Sequence, residues 1–196
     1  MALVLGVSGS PRRGGNSEAL VKEIVAGAQE QGHQTQAAHL RSYDFSSCIG
    51  CERCRKDKNC TGLLDGMQLL YPLIQEAMGL VLISPVHNYN VTAMTKAFID
   101  RLYCFYEFTK ERPGPWSSRL ANQGRKAVIA TVAEQKNDEG LGVVMPAMRL
   151  PLEALGYELT GELVAPGVFP VGKVKQDQNI MSRARALGND LGLALA

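Results

Sequence analysis

Five strand-like runs, each followed by a segment of helical period, constrain this chain more than any other feature. The runs are Leu3 to Val7, Thr35 to Leu40, Leu80 to Ile83, Lys126 to Val132 and Glu158 to Val164. Leu3 to Val7 is continuously apolar, as a strand buried on both faces should be. Between the runs, Ser17 to Gln31 carries Leu20, Val21, Ile24, Val25 and Ala28 as one helical stripe, closed by Gly32. Asp65 to Met78 reads as a helix despite Pro72, and Thr92 to Tyr106 as another. A helix bent or broken by Pro146 and Pro151 runs to Leu155, and Lys173 to Leu195 forms the last. Such alternation predicts a parallel sheet with helices on both faces, and right-handed crossovers make it doubly wound. At 196 residues the chain suits a single domain, 1–196, with a sizeable core.

Composition removes several classes of function. A net charge of +2 is too small a bias for a nucleic-acid binder. No apolar run reaches the roughly 18 residues of a membrane span, and Met1 to Val7 lacks a basic flank and reads as a strand, not a signal peptide. The expected setting is cytoplasmic, where clustered thiols are metal-binding or redox-active more often than bridged. Four of the five cysteines fall within Cys48 to Cys60, spaced C-x2-C-x2-C-x5-C in a loop of about 42–62. Thiols this close can hold an iron–sulfur cluster or zinc, form disulfides, or stay reduced. Cys104 lies in an apolar helical stretch and reads as a small buried hydrophobe.

Two further loops carry chemistry. Ser8 to Ser17, SGSPRRGGNS, joins the first strand to the first helix. Its small residues let an anion approach backbone N–H groups at a helix N-terminus, and Arg12 or Arg13 can add charge. It lacks the GK[ST] ending of a Walker loop and the G-x-G-x-x-G dinucleotide fingerprint. Ser84 to Thr92, SPVHNYNVT, follows the third strand. In a sheet of order 2-1-3-4-5 strands one and three flank the switch point, so both loops share one crevice. Pro85, Asn88 and Asn90 are also ordinary turn residues.

Gly9-Ser10-Pro11-Arg12 with Asn16-Ser17, Ser84-Pro85-Val86 and Lys96-Ala97-Phe98-Ile99-Asp100-Arg101 together resemble the flavodoxin-like NAD(P)H-dependent FMN reductase family. The cysteine run resembles its iron–sulfur flavoprotein branch. The resemblance implies an α/β, flavodoxin-like three-layer sandwich with a five-stranded parallel sheet of order 2-1-3-4-5. It implies FMN, its phosphate on Ser10, Arg12, Asn16 and Ser17, its ring against Pro85, Val86, His87, Asn88 and Tyr89, with the loop from Thr131 at the ring's polar edge. His87 stands where relatives commonly have an aromatic, and Ala133 to Asp138 is charged where many have glycines. No catalytic side chain is nominated; His87 is read as solvated or flavin-stacked in preference to a proton relay.

For the cysteines, the resemblance and ligand logic together favour a [4Fe–4S] cluster on Cys48, Cys51, Cys54 and Cys60, ahead of no metal and of zinc, whose Cys₄ sites separate two C-x2-C pairs by a long spacer. The basic residues Arg53, Arg55, Lys56 and Lys58 are expected to lower thiolate pKa and offset cluster charge, or to dock a ferredoxin-like donor or NADPH. The implied activity is an oxidoreductase moving electrons from NAD(P)H or such a donor to FMN, then to a quinone, flavin or oxygen species. A flavin-binding or redox- and metal-sensing module without turnover is the competing reading. Relatives are often homodimers or homotetramers, and Tyr103, Phe105, Tyr106, Phe108 and Trp116 are candidate interface aromatics.

Overall fold

The computed structural model describes residues 1–196, with the side chain of Asp138, in the charged loop, outside the described residues. In chain order the elements are β1 (Leu3–Ser8), α1 (Asn16–Glu30), β2 (Gln34–His39), α2 (Cys54–Asp57), α3 (Met67–Glu76), β3 (Gly79–Pro85), α4 (Ala93–Arg101), β4 (Tyr106–Phe108), β5 (Trp116–Ser118), β6 (Lys126–Val132), α5 (Val144–Leu155), β7 (Glu158–Ala165) and α6 (Gln178–Ala194). The main sheet has the order β2-β1-β3-β6-β7, and every pairing in it is parallel. Counted along the sheet strands alone, that is 2-1-3-4-5, as expected of a flavodoxin-like fold.

Strand alternation divides the interior into two layers. Leu5, Val7, Leu80, Leu82, Ala127 and Ile129 pack against Leu70, Ile74, Phe98, Met148 and Leu152 of α3, α4 and α5. Val4, Val81, Ile83, Val128 and Ala130 face Leu20, Ile24, Ala184 and Leu191 of α1 and α6. Burying each of the larger side chains contributes about 2 kcal/mol. The two outer helices approach closely because Gly27 and Gly188 meet: a Cβ at Gly188 would collide with the Ile24 carbonyl, and one at Gly27 with the Arg185 carbonyl.

Three local expectations change. The helix expected to reach Tyr106 stops at Arg101, and residues 102–105 tighten into a 3₁₀ turn. Tyr106 then opens β4, which pairs with β5 in an antiparallel ribbon separate from the main sheet. Helix α5 runs unbroken from Val144 to Leu155; Pro146 sits in its first turn, where no N–H is needed, and Pro151 is tolerated inside. Among the described residues, no helix is long and apolar enough to cross a membrane.

Candidate functional site

The chain's two polar loops meet beyond the carboxyl ends of β1 and β3. The first leaves β1 through Gly9, whose N–H donates to the Ile83 carbonyl (2.8 Å). Thr92 joins the loops: its hydroxyl donates to the Gly9 carbonyl (2.7 Å) and accepts from the Thr95 N–H, capping α4. Ser84 accepts the Thr92 N–H (3.0 Å), so a buried set of hydroxyls fixes one loop against the other.

Ser10, Arg12, Asn16, Ser17, Pro85, Val86 and His87 line one cleft of about 130 Å³. Asn88 and Tyr89 line an adjoining cavity of about 490 Å³, which shares Val86 and Glu134 with the first. No side chain caps the N-terminus of α1, and the buried Ser17 hydroxyl has no hydrogen-bond partner. A buried hydroxyl without a partner at an uncapped helix end fits an anion's oxygen.

Other expected contacts differ in detail. The Asn16 side chain is fully engaged elsewhere: its Nδ2 donates to the carbonyls of Val168 (3.2 Å) and Pro170 (3.0 Å), and its Oδ1 accepts the Val174 N–H (3.1 Å). What Asn16 has left for an anion is its backbone. Arg12 donates to the Phe169 carbonyl (2.8 Å) and stacks 4.4 Å above the Phe169 ring. Thr131 lies inside β6, fully buried, with its hydroxyl donating to the Ser84 carbonyl (2.8 Å). It fixes the strand, while Val132, Ala133 and Glu134 reach the cavities.

The loop after β3 is a two-residue hairpin. His87 and Asn90 exchange both backbone hydrogen bonds (2.8 and 3.0 Å), and Asn88 and Tyr89 between them have φ of +48° and +62°. That is the left-handed pair a type I′ turn demands, natural for Asn and strained for Tyr. The Tyr89 carbonyl accepts the Val143 N–H (2.8 Å), which anchors the turn to the start of α5.

The cysteines form a second site. Gly50, Glu52 and Lys58 all have positive φ and bend the loop around the short helix α2. Cys48, Cys51, Cys54 and Cys60 thereby line a single cavity of about 260 Å³. Gly62 leaves room for the Cys51 sulfur, which a Cβ there would strike. Burial, then the neighbouring Cys60 and Cys48, push the Cys54 thiol above its ordinary range. At Cys54 that runs against the expected lowering by the basic residues, two of which, Arg55 and Lys58, are engaged elsewhere. Arg55 stacks 4.3 Å from the Phe108 ring and donates to the Thr109 carbonyl (3.2 Å). Lys58 pairs with Glu107 (3.1 Å), and Arg112 ties Glu52 to the same ribbon (2.6 Å). Arg53 and Lys56 have no ion-pair partner among the described residues. Cys104 is buried, as expected, and burial pushes its thiol up to about 12.

Among the described residues, no three His, Cys, Asp or Glu side chains converge on a point where a single metal ion would bind. The four thiols nevertheless line one cavity, and an all-thiolate donor set is of the kind that holds an iron–sulfur cluster or zinc. The cysteine cavity and the cleft between the loops share no lining residue.

Residues 2–145 match the family model described as NADPH-dependent FMN reductase. The chain belongs to that family. It is 28% identical over 192 residues to an iron–sulfur flavoprotein of Archaeoglobus fulgidus, a match covering 97% of this chain and 79% of the relative. It is 36% identical over 98 residues to an iron–sulfur flavoprotein of Methanocaldococcus jannaschii, a match that spans half of each chain. Among solved structures it resembles an FMN-dependent NADH-azoreductase of Bacillus anthracis in complex with FMN, with a TM-score of 0.70, 15% identity, and coverage of 98% of this chain and all of that one. The family and this likeness agree with the flavodoxin-like sheet.

The wall built by residues 166–172 was not foreseen. Val168 and Phe169 complete the cleft, yet they lie far along the chain in a stretch without a strong motif. Gly167 and Gly172, both with positive φ, were the available sign of a tightly turned loop there.

Proposed function

We propose that this FMN reductase family member is an FMN-dependent oxidoreductase that moves electrons from NAD(P)H or a ferredoxin-like protein to a quinone, flavin or oxygen species. The observation that carries this reading is the cleft at the switch point, where an unpartnered Ser17 hydroxyl and an uncapped helix end face the residues expected to hold FMN. Bound there, FMN supplies both hydride and single-electron chemistry. The chain's part is to position and shield it. Ser10, Arg12, Ser17 and the first N–H groups of α1 hold the phosphate, while Pro85, Val86, His87, Asn88 and Tyr89 form the ring's platform. Glu134 stands on the wall common to both cavities.

In the same reading, Cys48, Cys51, Cys54 and Cys60 hold a [4Fe–4S] cluster, which supplies one-electron storage. The naming of the Archaeoglobus and Methanocaldococcus relatives as iron–sulfur flavoproteins supports this, as does the arrangement of the thiols around a cavity. Arg53 and Lys56 remain as the exposed cations for an acidic donor, and a homodimer or homotetramer is the expected assembly.

Anaerobic purification followed by absorption spectroscopy and flavin, iron and sulfide analysis tests the assignment. FMN with four irons and four sulfides per chain is expected. Protein that contains FMN but no sulfide would remove the cluster and leave the flavin. FMN bound tightly with no turnover of NAD(P)H or reduced ferredoxin against any quinone would reduce the protein to a binding module.

A further inference from the structure

We infer that the Arg101–Asp65 pair positions the cysteine loop and sets the reduction potential of the site the four thiols form. The inference rests on the cluster reading above and goes beyond it by naming the residues that tune the site.

Arg101 is 2% exposed and lines the cavity of the four cysteines. Its donors are committed in defined directions. Nε donates to the Tyr71 hydroxyl (3.1 Å), one terminal nitrogen to the Ser46 carbonyl (2.8 Å), and both terminal nitrogens to the Asp65 carboxylate (2.7 and 3.0 Å). Asp65 in turn accepts the N–H groups of Ser46 and Met67, each at 3.1 Å. Ser46 precedes the first cysteine and Asp65 follows the last. One ion pair therefore closes the whole cysteine loop at its base. The Gln68 amide adds a second tie, donating to the Cys60 and Leu63 carbonyls, each at 2.9 Å. Burial opposes the charge on Arg101, but Asp65, Tyr71 and the nearby Cys60 sulfur outweigh it and hold the guanidinium protonated.

A charge fixed in the wall of a low-dielectric cavity acts on any electron added there. Net charge and hydrogen bonding around the sulfurs are among the levers that set a cluster's potential. Arg101 lines the cavity and interacts electrostatically with Cys60, whereas Asp65 is not among the lining residues. Each partner, if removed, leaves the other uncompensated, and the two losses act with opposite sign.

The test is an anaerobic dithionite titration, adding one electron per cluster, followed by visible absorption and electron paramagnetic resonance. Wild type is compared with Arg101→Gln, Arg101→Lys and Asp65→Asn. The midpoint is expected to fall in Arg101→Gln, rise in Asp65→Asn, and stay closest to wild type in Arg101→Lys. Shifts of the same sign in Arg101→Gln and Asp65→Asn, or none in either, would overturn the assignment, since loosened packing alone gives no such opposition. If Arg101→Gln does not fold, Asp65→Asn decides: a raised midpoint supports the pair's role, and an unmoved or lowered one rejects it. Wild type that binds no iron overturns the cluster reading and this inference together. Wild type that loads iron while the variants keep its midpoint overturns this inference alone.

Discussion

Ser17 makes the sharpest residue-scale case, because its hydroxyl is buried without a partner. Removing it should cost the FMN-free protein nothing, or stabilise it by up to about 1 kcal/mol, since an unsatisfied buried polar group is lost. The same Ser17→Ala change should weaken FMN binding about tenfold to a hundredfold, the value of one hydrogen bond to a charged acceptor. Thermal melts without flavin and fluorescence titration with it separate the two effects; a melt lowered by several degrees would show that Ser17 holds structure instead. Arg12→Ala is expected to weaken FMN by tenfold or more, because it loses charge and also releases the Phe169 loop that Arg12 holds. Unchanged affinity by the same titration would reject the phosphate assignment. These two positions were legible in the sequence as residue types suited to an anion. Asn16 was legible only as a member of the motif: its side chain serves a loop some 150 positions away, and no local pattern announces such a partner.

At the scale of elements, periodicity and strand-like runs located the main strands and helices because burial dictates both patterns. The ribbon β4–β5 escaped because its strands are three residues each, too short for alternation to register; it holds the cysteine loop through Glu107, Phe108 and Arg112. The aromatic group divides between core and surface, with Trp116 about half exposed. Phe105 enters the core, while Tyr103 stacks on Phe108 at 5.0 Å and Tyr106 meets Trp116 edge-on at 5.2 Å. Arg125 was likewise unforeseen. It is 3% exposed, and its guanidinium collects the carbonyls of Ile74 (2.9 Å), Ala77 (2.5 Å) and Gln75 (2.6 Å), ending α3. Arg125→Met should destabilise the fold by about 3 kcal/mol, because it leaves buried carbonyls at a helix end without donors. Urea denaturation measures this, and a loss below about 1 kcal/mol would mean that water replaces the guanidinium.

Over the whole molecule, part of the response to acid should pass through Asp65. Burial pushes its carboxyl up, but Arg101 and the N–H groups of Ser46 and Met67 pull it down further, so its folded pKa lies below the ordinary 3.8. A carboxyl depressed on folding stabilises the protein above its unfolded pKa, and that contribution disappears as pH falls through the folded value. Stability measured from neutral pH downward should therefore fall below about pH 4, and Asp65→Asn should flatten that decline while costing about 3 kcal/mol at neutrality for an unpaired Arg101. A wild-type acid limb identical to the variant's would contradict the pairing. The doubly wound parallel sheet followed from alternation and handedness, which act on the whole chain, and its order from the family resemblance, whereas the cleft's third wall depends on one loop's path. That wall bears on how the protein is made. Asn16 is fastened to Val168, Pro170 and Val174, partners 152 to 158 positions later, so the phosphate cradle leaves the ribosome long before its clasp. A nascent chain therefore carries Asn16 without its clasp until residue 174 has emerged, and the start of α1 is completed only then.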